Sequence, residues 1–506
     1  MTNTIPSRLS AQDAAFLYWE RANAPLHIGS LGVYEGSIPF ERFVTQLDSR
    51  MPLLPRYRQR VVAVPFNLAQ PTWEDDPDFL IENHVHQISL PSPGSDEQLT
   101  ELAAELFARP LDRAKPLWEM YIIDGLEGGR NGIVSKVHHC LVDGVSGIGL
   151  LMVILDLSPE PAPAPDPQPW NPGPLPSPAS QLTGAFWAGM AQQRDILRDF
   201  QESLIDPRSS LQRGQSMMQA VNLASPRWGQ SMPRAPFAAQ LSPKRRVAFS
   251  EISFVEVREI RTSLGGTVND VVLAILAGAL RRYLGEDDAE PEPRVAIPVN
   301  IRLEGEEGVL GNHLSCMITS LPIAEADPVA RLQTVRERLD LLKRENQAGG
   351  LELLSRLAAQ APAPLQALAE GAPVTNPLVD MVCTNVPGPM IPLYSVGHLM
   401  LAHYPLVPLS FNMGLGLSVT GYNQQLFFSL MVDPNAVPDV ERLKEFLDES
   451  FLELRGAAGV AAFELPEFRG RAAGNGRAPV SPEAPVEEQK KQRAKKKPPS
   501  PRARRR

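Results

Sequence analysis

The chain has 506 residues, 43% hydrophobic and 21% charged, with a formal charge of −9. That balance suits a soluble globular protein of about two to four domains. It excludes a wholly disordered or fibrous chain and a body that coats nucleic acid.

Residues 1–12 are polar and lack the apolar core of an export signal, so no export is expected. Three scattered cysteines, Cys140, Cys316 and Cys383, fit neither a disulfide framework nor a zinc pattern, which points to a reducing cytoplasm. In residues 1–158 the patterning predicts strands at His27–Tyr34, Trp118–Ile123 and Gly132–His138. It predicts helices at Phe40–Met51, Asp96–Ala108 and Ser146–Leu157. Ten of the 20 residues Pro159–Pro178 are proline, which reads as a semi-rigid linker of polyproline type. Apolar residues from Leu182 to Leu204 then recur at helical spacing. Two readings stand for that amphipathic helix: its apolar face docks on a domain, or it touches a membrane or acts as a lid. Residues 207–245 read as irregular and polar, and close a connecting region of 159–245.

From 246 to 465 strands are expected at Arg246–Phe254, Arg294–Asn300, Leu314–Leu321, Leu378–Thr384, Gly414–Thr420 and Leu426–Val432. Helices are expected at Val257–Leu264, Val268–Tyr283, Pro328–Glu345 and Val440–Leu454. Strands and helices interleave without a glycine-rich phosphate loop, so dinucleotide and P-loop folds find little support. Residues 466–506 form a basic tail: Arg469–Arg506 carries 13 Lys/Arg against three Glu, a net of +10, which leaves −19 for the rest of the chain. Such a segment cannot bury enough apolar surface to fold. It reads as a solubilising extension, as an arm for anionic lipid headgroups or, last, as a nucleic-acid-binding segment. The longest apolar stretches, Gly147–Leu157 and Val271–Leu280, fall short of the roughly 20 residues that span a bilayer. Work on lipids would therefore be done from the membrane surface.

The segment richest in chemistry is Val134–Gly147. An apolar strand runs into His138-His139, followed by Asp143-Gly144 and an apolar helix. A lone histidine at a strand end is usually a hydrogen-bonded core residue; two in a row before an Asp-Gly turn ask for more. Consecutive strand side chains point to opposite faces, so one imidazole can face a channel while the other faces the core. A neutral imidazole with a pKa of about 6.5 suits proton abstraction from an alcohol. Asp143 organises the turn, and Gly144 suits a position where a side chain would obstruct. Cys140 beside His139 invites a Cys–His nucleophile, but neighbouring side chains on a strand diverge. His84-Val85-His86 could place two imidazoles on one face, yet no third ligand follows, so no metal is expected.

His138-His139-Cys140-Leu141-Val142-Asp143-Gly144 matches the His-His-x-x-x-Asp-Gly signature of the CoA-dependent acyltransferase superfamily, which includes chloramphenicol acetyltransferase and condensation domains. The flanking blocks narrow the resemblance. They are Leu9–Leu17 with Pro25–Gly29, Pro116-Leu117-Trp118-Glu119, Thr267–Ala274 with Asn269-Asp270, Pro298–Arg302 with Gly311-Asn312, and Asn385-Val386-Pro387-Gly388-Pro389. Together, over about residues 8–458, they resemble the bacterial wax ester synthase/diacylglycerol acyltransferase family.

The resemblance implies an α/β (α+β) fold: two chloramphenicol acetyltransferase-like sandwich domains, 1–158 and 246–465, of mixed sheet and helices, with the active-site channel between them. It implies an acyl-CoA-dependent O-acyltransferase that esterifies diacylglycerol, a long-chain fatty alcohol or both. His139 would be the general base, His138 structural or orienting, and no covalent acyl-enzyme would form. Asp143 would pair with a cation, Arg302 being the candidate. Asn269, Asp270 and Gly144 would lie toward substrate, and Trp118, Asn385 and Pro387 would be structural. Asn269 could instead cap its helix. Acyl-CoA is then a co-substrate and no cofactor is implied. An anionic membrane surface or lipid droplet is the expected partner, with peripheral association from the cytoplasm, and no nucleic acid. Where the family commonly has Gly-x-Gly-Leu-Asn, this chain has Gly414-Leu415-Gly416-Leu417-Ser418, so the grip on the acceptor or oxyanion can differ here. Two other classes stay open: a lipid-binding scaffold without turnover, and a condensation-type enzyme using carrier-protein thioesters.

Overall fold

The computed structural model describes residues 7–142, 144–160, 170–205, 207–224, 234–285, 291–300, 314–359, 361, 363–367 and 378–463. Asp143, Arg302, Asn312, part of the Pro-rich stretch and the basic tail lie outside them.

The N-terminal portion comprises α1 (Ala11–Trp19), β1 (His27–Tyr34), α2 (Phe40–Arg50), β2 (Gln59–Val62), β3 (Thr72–Asp75), β4 (Val85–Ser89), α3 (Asp96–Ala108), β5 (Trp118–Leu126), β6 (Arg130–His138) and α4 (Gly144–Ile154). Two long helices follow, α5 (Pro178–Ile205) and α6 (Pro207–Ala224). The remainder holds β7 (Arg246–Ser253), α7 (Phe254–Leu264), α8 (Val268–Leu284), β8 (Arg294–Asn300), β9 (Leu314–Ser320), α9 (Pro328–Arg344), α10 (Gln347–Ala359), α11 (Ala363–Ala367), β10 (Met381–Val386), β11 (Tyr394–Ser395), β12 (His398–Leu406), β13 (Leu415–Tyr422), β14 (Gln425–Val432) and α12 (Val440–Ala457).

Two six-stranded mixed sheets carry the fold, in the orders β11-β12-β1-β6-β5-β4 and β7-β14-β13-β10-β8-β9. In the first, β4 and β5 run parallel and the other pairs antiparallel. Its interior strand β12 comes from late in the chain and pairs β1 through Gly29–Leu406 to Gly32–His403. Residues 394–406 therefore complete a sheet whose other strands lie within 27–138. In the second sheet β10 is parallel to both β8 and β13.

Local chemistry explains the elements that position the site. Ser95 and Gln98 form a reciprocal capping box at the start of α3, and Thr267 and Asp270 do the same for α8. Thr267, not Asn269, is thus the N-cap of α8. From Asp270 to Leu280 α8 is buried on every face, as a central core helix should be. No single described helix is long and apolar enough to cross a membrane.

Residues 207–224, read from sequence as irregular, are the helix α6. Its polar composition (Ser209, Gln212, Gln215) hides a periodicity that tertiary packing supplies. Gly350 of α10 lies so close that a Cβ there would meet Ala220 Cβ at 2.5 Å. Helix α5 docks by small residues: Ala185 and Ala188 pack on Val64 and Ala69. Its large apolar residues Phe186 and Trp187 stay 62% and 69% exposed. The docked face is therefore not the large-residue stripe that the spacing picks out.

Candidate active site

Strand β6 brings the two histidines to its end. Its even-numbered residues turn toward α3: the Lys136 ammonium donates to the carbonyls of Leu106 and Arg109 at 3.1 and 2.9 Å. His138 follows on that side, opposite His27, whose ring Nε2 meets the Phe107 carbonyl. Ser135, Val137 and, one step past the strand, His139 take the opposite face by alternation.

His138 is 1% exposed. Its Nδ1 accepts the Cys140 backbone N–H at 3.1 Å, so the proton of the neutral ring resides on Nε2. That nitrogen lies 3.4 Å from Glu20 Oε1. Glu20 also accepts from the Leu26 N–H at 2.9 Å and from Arg113 at 2.8 Å. Burial opposes its ionisation, but His138, the Leu26 amide and Arg113 outweigh burial and lower its pKa to about 2. The Cys140 amide thus fixes the tautomer of the inner imidazole, and an ionised carboxylate faces its Nε2 edge outside hydrogen-bond geometry.

His139 is only half-buried. Its backbone N–H donates to the Leu26 carbonyl at 2.9 Å, and its ring lies flat on Phe16 of α1, 4.1 Å between centroids and 4° between planes. Phe16 meets Trp19 edge-on, and Trp19 meets Phe411, a residue with φ of 53° in the loop after β12. An aromatic chain therefore runs from His139 across α1 to a loop next to the second sheet. Cys140 is buried, and burial pushes its thiol well above the ordinary range, which removes the thiolate a nucleophile needs.

The other residues singled out from sequence occupy distinct places. Gly144 opens α4 immediately after the histidine motif. Asn269 and Asp270 lie in the first turn of α8. Asp270 is buried with one carboxylate oxygen on the Thr267 N–H at 2.7 Å and the other without a partner among the described residues. Trp118 is a core residue whose indole N–H donates to the Tyr57 carbonyl at 2.7 Å. His84 stacks on Trp118 and uses Nδ1 on the Trp118 carbonyl. Asn385 lies on β10 beside Val419, and Pro387 follows at the exposed turn. There Gly388 passes so near Gly421 that a Cβ would meet its carbonyl at 2.0 Å. Ser418 is buried on β13, its hydroxyl donating to the Pro405 carbonyl of β12 at 2.9 Å. Sequence reasoning gave no role to Phe16, Glu20 or Phe411. They stand more than a hundred residues from the motif, and no spacing rule reaches that far.

Residues 9–272 match the wax ester synthase/diacylglycerol acyltransferase catalytic domain, and residues 310–455 match the WS/DGAT C-terminal domain. A Mycobacterium tuberculosis protein named a probable diacylglycerol O-acyltransferase is 30% identical over 467 residues, covering 88% of this chain and 96% of its own. A second protein of that name from the same organism is 30% identical over 457 residues, covering 88% and 98%. Among solved structures, a wax ester synthase/diacylglycerol acyltransferase from Marinobacter aquaeolei VT8 is 23% identical with a TM-score of 0.61, covering 90% of this chain and 100% of that one. The first condensation domain of the CDA synthetase is 15% identical with a TM-score of 0.57, covering 90% and 98%.

Proposed function

The chain belongs to the wax ester synthase/diacylglycerol acyltransferase family and is an acyltransferase of that type, and from this premise we propose that it transfers an acyl group from acyl-CoA to diacylglycerol, a long-chain alcohol or both. His139 takes the proton from the acceptor hydroxyl as its oxygen attacks the thioester carbonyl. The C–S bond breaks as the ester forms, and CoA leaves as the thiol, with no acyl-enzyme. The observation that carries this reading is the division of labour in the histidine pair. His138 is buried against Glu20, whereas His139 is half-exposed and laid flat on Phe16. The buried, un-ionised Cys140 speaks against a covalent route. In the same reading Asp143 shapes the turn and pairs with Arg302, and Asn269, Asp270 and Gly144 lie toward substrate.

The test is CoA release from palmitoyl-CoA, followed with a thiol reagent, with diolein or hexadecanol as acceptor. Release should depend on the alcohol, and His139→Ala should lower it by about 10²–10⁴-fold while the fold persists. Full activity in that variant rules His139 out; stoichiometric binding of acyl-CoA without release would make the protein a scaffold.

Peripheral attachment to a lipid surface is proposed through α5, with Phe186, Trp187 and Met190 entering the headgroup region. Flotation with anionic liposomes should survive high salt if these residues dominate. It should collapse if the +10 tail does, because exposed charges are screened beyond about 10 Å at 0.1 M.

A further inference from the structure

The turn that joins α1 to β1 is tied to the second sheet by a buried arginine. Arg21 and Ala24 close the turn by exchanging backbone hydrogen bonds of 3.2 and 2.9 Å, and Asn23 lies inside it. The Asn23 carbonyl accepts from Arg245 Nη2 at 2.6 Å, and its side-chain Nδ2 donates to the Leu241 carbonyl at 2.8 Å. Leu241 and Arg245 belong to the segment that leads into β7. Arg245 Nη1 donates to the carbonyls of Ser242 and Lys244 and lies 3.6 Å from Asp433 Oδ2. Asp433 follows β14 and is fully buried. It is fixed in its own right: Oδ2 accepts the Ser242 N–H, Oδ1 accepts the Asn435 N–H, and its own N–H donates to the Gly414 carbonyl. Ala24 packs with Leu241, Val247, Leu406 and Met431, residues that reach it from both sheets, and these bonds are strong in such apolar surroundings.

Two supports of His139 hang on this turn. Asn23 is three residues from Leu26, whose carbonyl accepts the His139 N–H at 2.9 Å. The Leu26 N–H is in turn held by Glu20, the C-cap of α1. Phe16, whose ring lies flat on His139, is in that helix, and its carbonyl accepts the Glu20 N–H. A guanidinium presents its donors in a rigid planar fork, so one side chain holds several carbonyls at set angles; an ammonium on a flexible stem does not. The fork does more than neutralise Asp433. Its approach to that carboxylate is 3.6 Å, against 2.6 Å to the Asn23 carbonyl, so the tighter grip is on the turn.

Building on His139 as the base, we propose that Arg245 is a positioning residue for the transfer reaction. It fastens the α1–β1 turn to Asp433 at the end of β14, so that contacts of the second sheet set where the reactive imidazole stands. The transfer step is unchanged; Arg245 acts through the turn.

The experiment measures kcat and KM separately, with palmitoyl-CoA and hexadecanol, in the full-length protein and in Arg245→Lys, Asn23→Ala and Arg246→Gln. Arg245→Lys keeps the charge beside Asp433 and loses the fork. Its kcat should fall about 10- to 100-fold, the scale of a misplacement of about 1 Å, with both KM values within about threefold of native. Asn23→Ala removes the tie to Leu241 and should lower kcat about 3- to 10-fold, the loss of about one hydrogen bond. Arg246→Gln, at an exposed pair with Glu441, should leave kcat within about twofold of native. A double-mutant cycle gives the readout that a purely structural role does not move. Added to His139→Ala, Arg245→Lys should lower the residual rate by less than about threefold, because a base already absent cannot be misplaced. Circular dichroism gives the folded fraction to which each rate refers. A folded Arg245→Lys with kcat within about twofold of native overturns the proposal, as does a raised KM at unchanged kcat or an equal fold loss in both backgrounds. If Arg245→Lys does not fold, Asn23→Ala decides by the same criteria. Full activity in His139→Ala would defeat the base reading, which is a separate failure.

Discussion

His138 and His139 differ by one position and by almost everything that governs an imidazole. The inner ring is buried, bonded to the Cys140 amide and 3.4 Å from Glu20; the outer ring is half-buried and lies flat on Phe16. Other buried ionisable groups make the protein acid-sensitive in a definite order. Burial, reinforced by Lys136, lowers the pKa of His27 to about 3, and burial lowers that of His403 to about 4. Both stay neutral in the fold while the unfolded chain binds protons below about 6.5. Their contribution is therefore complete above that pH and is lost as pH falls toward 4 and then 3. Glu20 acts lower down: its contribution is present above its ordinary carboxylate value and is lost as pH falls through that value toward 2. Urea midpoints measured from pH 7.5 to 3.5 should fall on acidification. His403→Leu should flatten the limb between about 6.5 and 4, a change on the order of 3 kcal/mol at about 1.4 kcal/mol per pKa unit. Glu20→Gln should leave that limb intact and reduce the slope below about 4.5. A His403→Leu profile that parallels the native one would contradict the burial argument.

Elements with strong local signals were legible, and those made by tertiary contact were not. The Ser95-x-x-Gln98 box and the Thr267-x-x-Asp270 box announce α3 and α8, whose limits agree with the sequence reading to within one residue. The strand ahead of the histidines stood out for its run of apolar residues and a polar stop. By contrast β12 contains Pro405 and no clean alternation, and its reason to be a strand is β1, some 370 residues away. Helix α1 carries Phe16 and ends at the C-cap Glu20, and its importance lies in what these touch rather than in its own pattern. The turn after β10 shows a legible motif whose physical reason is hidden: Gly388 is required by the Gly421 carbonyl at 2.0 Å from any Cβ. Gly388→Ala must displace backbone, not a flexible side-chain tip. A loss of about 1–3 kcal/mol is expected, read as a lower urea midpoint. Gly173→Ala, with nothing within 4 Å of the added methyl, should leave the midpoint within about 0.5 kcal/mol of native.

At the scale of the molecule the chain has the two-domain α/β fold of the chloramphenicol acetyltransferase-like enzymes, with mixed sheets. The strand topology adds a dependence that a linear division does not convey. β12 inserts between β11 and β1, so the segment 1–158 has its first sheet ending at β1 when β12 is absent. That edge would present the outward-facing backbone groups of Gly29–Tyr34, the stretch that pairs with β12, with Leu31 and Val33 within it. Long exposed edges of this kind pair with other chains. Residues 1–158 expressed alone should accordingly aggregate, and co-expression with 159–506 should return soluble, co-purifying halves with acyltransferase activity. The same rescue attempted with a second segment in which His398–Leu406 is replaced by a Gly/Ser run of equal length should fail, because the replacement keeps chain length but cannot fill the sheet. A soluble, monomeric 1–158 fragment with native-like circular dichroism would show that β12 is dispensable to the first sheet and that the two segments fold independently.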